Sequence, residues 1–210
     1  AMIEITMSRP DDRQVRRNRI KLLAILALFL LPPVSAWVVW KNYQESGAQS
    51  TTNAGTLVAP ARPLLVAGLR QADGLSLAEA DFRGRWTYVM FSPVECDDGC
   101  MQQLYLTRQI RLAMNKDTPR VQRLLVLGED PTPEFVRRLS DEHADLRWVV
   151  RGAAAGTLLD SFRGADFDTA GEQYFLVDPL GNLMMYYDLD VPTKGVMKDL
   201  QKLLKISQVG

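Results

Sequence analysis

The sequence predicts a mixed α/β domain carried on one membrane-spanning helix. Three features predict it: a long uncharged stretch near the N-terminus, apolar strand-like runs that alternate with helical periodicities, and one pair of cysteines. These are the only two cysteines among 210 residues, and they lie four positions apart where the first such strand meets a helix. Strands that alternate with helices build a sheet flanked by helices on both faces.

The uncharged stretch covers residues 22–40, nineteen residues that end before Lys41. As a helix they would extend roughly 29 Å, about the thickness of the hydrocarbon core of a bilayer. The preceding residues 1–21 hold six Arg or Lys against three acids. The positive-inside rule therefore places this end in the cytoplasm and the rest of the chain outside, which in a bacterium means an inner-membrane protein with a periplasmic domain.

Two features of the stretch bear on this prediction. Pro32 and Pro33 lie within it and favour a kink, although membrane helices tolerate proline. Val34-Ser35-Ala36 is similar to the small-residue site at which signal peptides are cleaved, so a removed signal peptide is the alternative. We favour an anchor because the apolar run continues to Trp40.

We expect four segments: a basic cytoplasmic tail over 1–21, a transmembrane anchor over 22–41, a polar, proline-tipped linker over 42–63 and a folded exported domain over 64–210. Residues 42–210 contain 18 bases against 22 acids. This net negative charge argues against a nucleic-acid partner, because phosphate binding requires clustered positive charge.

Apolar patterning and turn residues predict the elements of the domain in order. They are a hairpin of 64–66 with 75–77, a strand over 86–91, a helix to about Lys116, a strand over 121–127, a helix from Pro133 to Leu139 capped by Thr132, a strand over 147–150, a helix over 154–162, a hairpin of 173–177 with 183–187, and a helix over 192–206. Paired cysteines at the first strand-to-helix junction of such an order predict a thioredoxin-like arrangement.

Cys96 and Cys100 could form a redox or metal-binding pair, a structural disulfide, or ordinary core packing. A disulfide across so short a loop adds about 2 kcal/mol at most, so we favour the first interpretation. Glu95, Asp97 and Asp98 flank the pair. Their charges disfavour a nearby thiolate, which argues against a fast oxidase and against a peroxiredoxin-like peroxidase. The alternative for these acids is a solvated loop.

Two segments are similar to a known family. They are Phe91-Ser-Pro-Val-Glu-Cys-Asp-Asp-Gly-Cys100, entered from Gly84-Arg85-Trp86, and Leu176-Val-Asp-Pro-Leu-Gly181. They resemble the Sco/SenC group of membrane-anchored, thioredoxin-like cytochrome oxidase assembly proteins. The resemblance implies that two cysteines and one histidine hold copper for delivery to the oxidase, or that the dithiol reduces cysteines of its copper centre. It implies a cytochrome oxidase subunit or another copper chaperone as the partner.

The resemblance carries Cys96 and Cys100 over, but not the histidine. Its position falls on or near Ala170, and residues 163–190 contain no histidine. We interpret the single histidine, His143, as solvated. Without an imidazole, two thiolates still suit copper(I) better than copper(II).

Four methionines could add a thioether ligand, although core packing is the stronger interpretation for them. They are Met90, Met101, Met184 and Met185. The sequence also has Asp97 where the family usually has proline.

The sequence therefore predicts a membrane-anchored Sco-like protein that assists assembly of the oxidase copper centre. It would act by dithiol reduction or by transient copper(I) transfer, with Cys96 as the attacking sulfur and Cys100 as the resolving one. The alternative is a non-catalytic thioredoxin-like module with a fixed disulfide that docks an oxidase subunit or an assembly factor.

Overall fold

A computed structural model describes residues 12–45, 53–92, 96–170 and 172–207. The chain divides into two compact units, residues 1–51 and 52–210. The first unit contains helix α1, Asp12–Glu45, with Pro32 and Pro33 inside it. Its stretch Arg13–Val39 is long and apolar enough to cross a membrane. Residues 1–11 of the predicted tail lie outside the described residues.

The second unit is a seven-stranded mixed sheet with helices on both faces, which confirms the predicted thioredoxin-like class. Its elements are β1 (Thr56–Pro63), β2 (Leu69–Gln71), β3 (Trp86–Ser92), α2 (Asp98–Leu112), β4 (Val121–Leu127), α3 (Pro133–Glu142), β5 (Leu146–Arg151), α4 (Gly156–Ser161), β6 (Gln173–Val177), β7 (Asn182–Asp188) and α5 (Thr193–Ile206). The strand order is β1-β7-β6-β3-β4-β5-β2. Strands β3, β4 and β5 are mutually parallel, and the remaining pairings are antiparallel.

Side chains of β3 alternate between two apolar clusters, one on each face of the sheet. Tyr88 and Met90 belong to the cluster that α2, α3 and α5 cover, whereas Val89 and Phe91 belong to the cluster that α4 covers. All seven residues of β4 are buried as well, so the central strands contact water on neither face. This burial is the reason for the nearly continuous apolar runs in the sequence.

The domain begins earlier than the sequence predicts. Strand β1 occupies Thr56–Pro63, within the predicted linker, and pairs with β7 so that Thr56 lies opposite Tyr186. Since β1 is at the edge of the sheet, proline there costs little hydrogen bonding. The prolines that suggested a linker are thus compatible with an edge strand. Residues 46–52 of the predicted linker lie outside the described residues.

The opening hairpin and the end of α2 also differ from the predictions. The turn contains Gly74, and the paired strand before it is Leu69–Gln71 rather than residues 64–66. Arg70 bridges Ser76, and β2 pairs with β5. Helix α2 ends at Leu112, and a short 3-10 helix follows over Asn115–Arg120. The predicted boundary near Lys116 merged these two helices.

Candidate thiol–disulfide site

Cys96 and Cys100 form a disulfide at the start of α2, with their Cα atoms 5.1 Å apart. This separation is ordinary for a disulfide. Strand β3 ends at Ser92 and α2 begins at Asp98, so the pair lies beyond the carboxyl end of a central parallel strand. This is the strand-to-helix junction that the sequence predicts, and α/β proteins commonly place their chemistry at this edge.

The two cysteines differ in exposure. Cys100 is 4% exposed and belongs to the apolar cluster that contains Leu104 and Tyr174. Cys96 is half-buried and packs against the same cluster from outside. A partner molecule can therefore reach the bond more readily from the side of Cys96.

Asp97 caps α2. Its Oδ1 accepts a hydrogen bond from the Cys100 N–H at 2.8 Å. An acid at this position satisfies an otherwise unpaired amide and lies at the positive end of the helix dipole. The same contact occupies the Cys100 N–H, which is then no longer available to stabilise a thiolate. Asp97 is thus more than a solvated loop residue, Asp98 is exposed in the first turn, and Glu95 lies outside the described residues.

Glu172 is a site residue that the sequence interpretation missed. A Cβ atom placed on Gly99 would lie 3.5 Å from Glu172 Oε1 and 3.6 Å from Asp97 Oδ1, so both carboxylates approach the cysteine loop. Glu172 directly precedes β6 and lies two positions after Ala170, where the family resemblance placed a histidine. The signal was a charged residue at the end of that loop, but the interpretation considered only histidine there.

Glu172 also lines an open cavity of about 520 Å³. Each ionisable side chain in its lining is a carboxylate: Asp166, Asp168, Glu172, Asp188 and Asp190. Since Glu172 belongs to both the cavity and the cysteine loop, the surface on this side of the disulfide is strongly negative. Long-range attraction then favours approach by positively charged molecules.

The nearby methionines and tyrosines belong to the core. Met90 and Met185 are almost fully buried, and the Thr107 hydroxyl donates to Met90 Sδ at 3.4 Å. Burial raises the pKa of Tyr88 and of Tyr174, which keeps both phenols protonated near neutral pH. None of these four side chains is therefore a base or an accessible ligand, and Met101 and Met184 pack against the same cluster.

His143 is buried, so the expectation of a solvated side chain was wrong. It is 4% exposed, ends α3, and its Nδ1 has no hydrogen-bond partner in the described part of the chain. Burial, followed by the positive charges of Arg123 and Arg108, lowers its pKa. It precedes β5, whereas Cys96 follows β3. The two residues are thus at opposite ends of strands that run parallel, a separation of roughly 20 Å.

The described residues offer little to a metal besides the two sulfur atoms. Across the four described ranges, no three side chains of His, Cys, Asp or Glu come together as a ligand set. The donors at the site are thus two soft sulfurs with hard carboxylates near them. Two thiolates suit copper(I). Because the thiolates exist only after the Cys96–Cys100 disulfide is reduced, copper(I) can bind only to the reduced form.

Solved structures with this fold confirm the resemblance to Sco/SenC proteins. Apo Sco1 of Thermus thermophilus is 24% identical, with a TM-score of 0.57, and covers 75% of this chain and 99% of its own. Copper-bound ScoI of Bradyrhizobium japonicum is 21% identical, with a TM-score of 0.51, and covers 64% and 94%. Copper-bound Sco1 of yeast is 16% identical, with a TM-score of 0.51, and covers 66% and 90%. At these identities the likeness shows the fold.

A family model fixes the assignment of the chain. No match to a curated protein sequence reaches significance. The model of the transmembrane-like, thioredoxin-like, C-terminal domain matches residues 86–207, which is more than half of the chain and includes both cysteines. The chain therefore belongs to the family of transmembrane-like, thioredoxin-like C-terminal domains, and its sheet domain has the fold of the Sco proteins.

Proposed function

We propose that this protein is a membrane-anchored thiol–disulfide exchange protein that assists assembly of the copper centre of a cytochrome oxidase. The observation that carries the proposal is a disulfide at the carboxyl edge of the central strands, with one buried and one half-exposed cysteine. The Sco-like fold and the apolar α1 support the oxidase context and an anchor in the bacterial inner membrane, with the sheet domain in the periplasm.

The exchange would proceed in two steps from the reduced form. The Cys96 thiolate attacks a disulfide of the partner, which forms a mixed disulfide and releases one partner thiolate. The Cys100 thiolate then attacks Cys96 Sγ, which closes the Cys96–Cys100 bond and releases the second partner thiolate. The partner gains two electrons and the pair loses two, and a further dithiol protein restores the reduced form.

The reduced pair would also carry copper(I) as cargo. Cys96 and Cys100 would hold the ion through two thiolates, without the imidazole that the resemblance to Sco/SenC proteins implies. Soft copper(I) accepts such a ligand set, whereas copper(II) prefers nitrogen and oxygen donors. Transient transfer is consistent with only two ligands, since an ion held by two ligands dissociates readily to an acceptor that offers more.

A double variant, Cys96→Ser/Cys100→Ser, in the native host tests the proposal. We expect oxidase activity to fall to the level of a strain without the protein. A copper(I) titration of the reduced chain, followed by the number of alkylatable thiols, then separates the two chemistries. Protection of both thiols by copper(I) supports transfer, and reaction with an oxidase-subunit disulfide without such protection supports reduction.

A non-catalytic docking module remains the second candidate, since Cys100 is buried and its amide is held by Asp97. Such a module needs the disulfide only to fix the start of α2. It predicts that the double serine variant retains oxidase activity and that only removal of residues 53–207 abolishes it. That result would contradict the exchange proposal.

A further inference from the structure

Helix α5 carries an unusual set of charges on its exposed side. Four of the seven lysines of the chain are on this helix: Lys194, Lys198, Lys202 and Lys205. All four are exposed. At about 100° per residue they fall within an arc of roughly 80°. The buried residues Val196 and Leu200 lie on the opposite side of the helix. We call these four residues the lysine stripe.

The lysine stripe contains no acid. The single carboxylate of α5, Asp199, is 4% exposed and faces inward. Helix α3 shows the usual alternative, because its exposed side mixes Arg137 and Arg138 with acids such as Glu134 and Glu142. No ion pair to a described acid involves Lys194, Lys198 or Lys205. These three lysines thus present a positive surface on a domain whose net charge is negative.

The lysine stripe lies beside the point where the chain enters the domain. The Asp199 carboxylate accepts hydrogen bonds from the N–H groups of Ala54 and Gly55, at 2.8 and 3.0 Å. A Cβ atom on Gly195 would lie 2.6 Å from Ala54 Cβ, so Ala54 packs directly on α5. Each of these two contact residues directly follows a lysine of the stripe: Gly195 follows Lys194, and Asp199 follows Lys198. They therefore lie next to the stripe on the helix surface. The two residues just before β1 are therefore held at the border of the lysine stripe.

Covalent geometry limits how far this entry point can be from a membrane. Nine peptide links join Glu45, the last residue of α1, to Ala54. A fully extended chain gains about 3.3 to 3.6 Å per residue, so the span is at most roughly 32 Å. If α1 crosses the bilayer, as the proposed function requires, this length is the upper limit on the distance between Ala54, at the border of the stripe, and the end of the membrane helix. Lysines near an anionic membrane surface are attracted to it individually.

We propose that the lysine stripe docks the sheet domain on anionic phospholipid headgroups of the membrane that holds α1. The occupant is a lipid surface because the tether keeps such a surface within reach at all times, and because its charge is opposite to that of the stripe. Docking would restrict the orientation of the domain, and with it the side from which partners reach the disulfide.

The test uses the full chain in lipid nanodiscs of pure phosphatidylcholine, or with a third of phosphatidylglycerol. An amine-reactive reagent labels the lysines, and mass spectrometry reads each site. We expect Lys194, Lys198 and Lys205 to be labelled several-fold more slowly in the anionic discs. Salt near 1 M should remove the difference, because the screening length falls to about 3 Å. Equal labelling in both discs, as an acidic protein partner would give, would overturn the proposal.

A matched pair of variants assigns the effect to α5. Lys198→Gln/Lys205→Gln should weaken docking roughly 25-fold, at about fivefold per lysine, and should restore labelling of Lys194. Gln keeps the helix propensity of Lys. The control Arg137→Gln/Arg138→Gln on α3 removes the same charge and should preserve protection. If the control restores labelling equally, a specific stripe is excluded.

The inference rests on the membrane anchor of the proposed function, but the two fail separately. Incorporation of the chain into neutral discs reports the anchor. Reaction of the Cys96–Cys100 pair with a small thiol reports the exchange site. The ratio of lysine labelling between the two discs reports the stripe alone.

Discussion

The two ends of the central parallel strands carry charged groups of opposite character. At the carboxyl end, Asp97 and Glu172 approach the cysteine loop, and no described cation lines the adjoining acidic cavity. At the amino end, the guanidinium of Arg123 is fully buried and pairs with Asp145 at 3.0 Å. It also donates to Thr107 Oγ1 and to the Leu104 carbonyl, and so fixes α2 against β4.

The contrast separates stability from chemistry. The buried charge of Arg123 at the amino end is neutralised and holds the elements in place, whereas the acids at the carboxyl end are exposed and cost the fold little. An exposed charge next to a reactive bond acts instead on the molecules that approach the bond. We therefore expect substitutions at the amino end to change stability and those at the carboxyl end to change reaction rates.

The largest stability effect is expected from Asp145→Asn. This change leaves the Arg123 charge buried without its partner, and we expect a loss of about 3 to 5 kcal/mol in the free energy of unfolding. Chemical denaturation measures it. The control is Asp160→Asn, which breaks the exposed pair with Arg163, and we expect less than about 1 kcal/mol. Equal losses in both variants would show that burial of Arg123 does not matter.

A charge preference is the next expected effect. The reduced pair should react faster with a cationic disulfide such as cystamine than with an anionic one such as dithiodiglycolate, by about tenfold at low salt. The ratio should shrink as salt screens the acids. Glu172→Gln should reduce the ratio. The control is Glu142→Gln, at the C-terminal end of α3 and close to the amino end of β5, and it should leave the ratio unchanged. A ratio of rates that changes neither with salt concentration nor in Glu172→Gln would contradict the electrostatic account.

Asp97 connects the two properties, and its effects should be smaller. Asp97→Ala loses the helix cap and should cost about 1 kcal/mol of stability. Asp97→Asn keeps the cap but removes the charge beside Cys96. We expect alkylation of reduced Cys96 to become several-fold faster in this variant, with little change in stability. Asp98→Asn removes an equal charge from the first turn of α2 and should accelerate alkylation less. A larger acceleration there would show that the charge of Asp97 is not the one that restrains Cys96.

The smallest expected effect is the pH dependence due to His143. Its lowered pKa means that the unfolded chain binds the proton more tightly than the folded one. The stability that this provides is complete above the unfolded pKa, near 6.5, and is lost as the pH falls from there through the folded pKa. Burial lowers the pKa most, Arg123 and Arg108 lower it further, and Glu142 and Asp145 raise it. As the pH is lowered through this window, the unfolding temperature of the wild type should therefore decrease more steeply than that of His143→Phe.

Sequence patterns predicted the fold where burial is simple. Strand β4 and the β6–β7 hairpin follow from apolar runs and a turn, and Thr132 caps α3 as expected. Edge strand β1 was missed because its prolines resemble those of a linker, and an edge position depends on long-range pairing with β7. The cysteine junction was predicted, but Glu172 was not, since its approach to Gly99 joins residues far apart in the chain. The exposure of His143 was predicted wrongly because its neighbours in the sequence are polar, although its own side chain is buried.

The account depends most directly on a reactive Cys96 backed by a resolving Cys100. Single-cysteine variants of the full chain, reduced and mixed with a small disulfide, test this. Cys100→Ser should form a lasting mixed disulfide through Cys96, at a rate close to that of the reduced wild type, whereas Cys96→Ser should react far more slowly because Cys100 is buried. Equal rates in the two variants, or faster reaction of Cys100, would contradict the exchange mechanism.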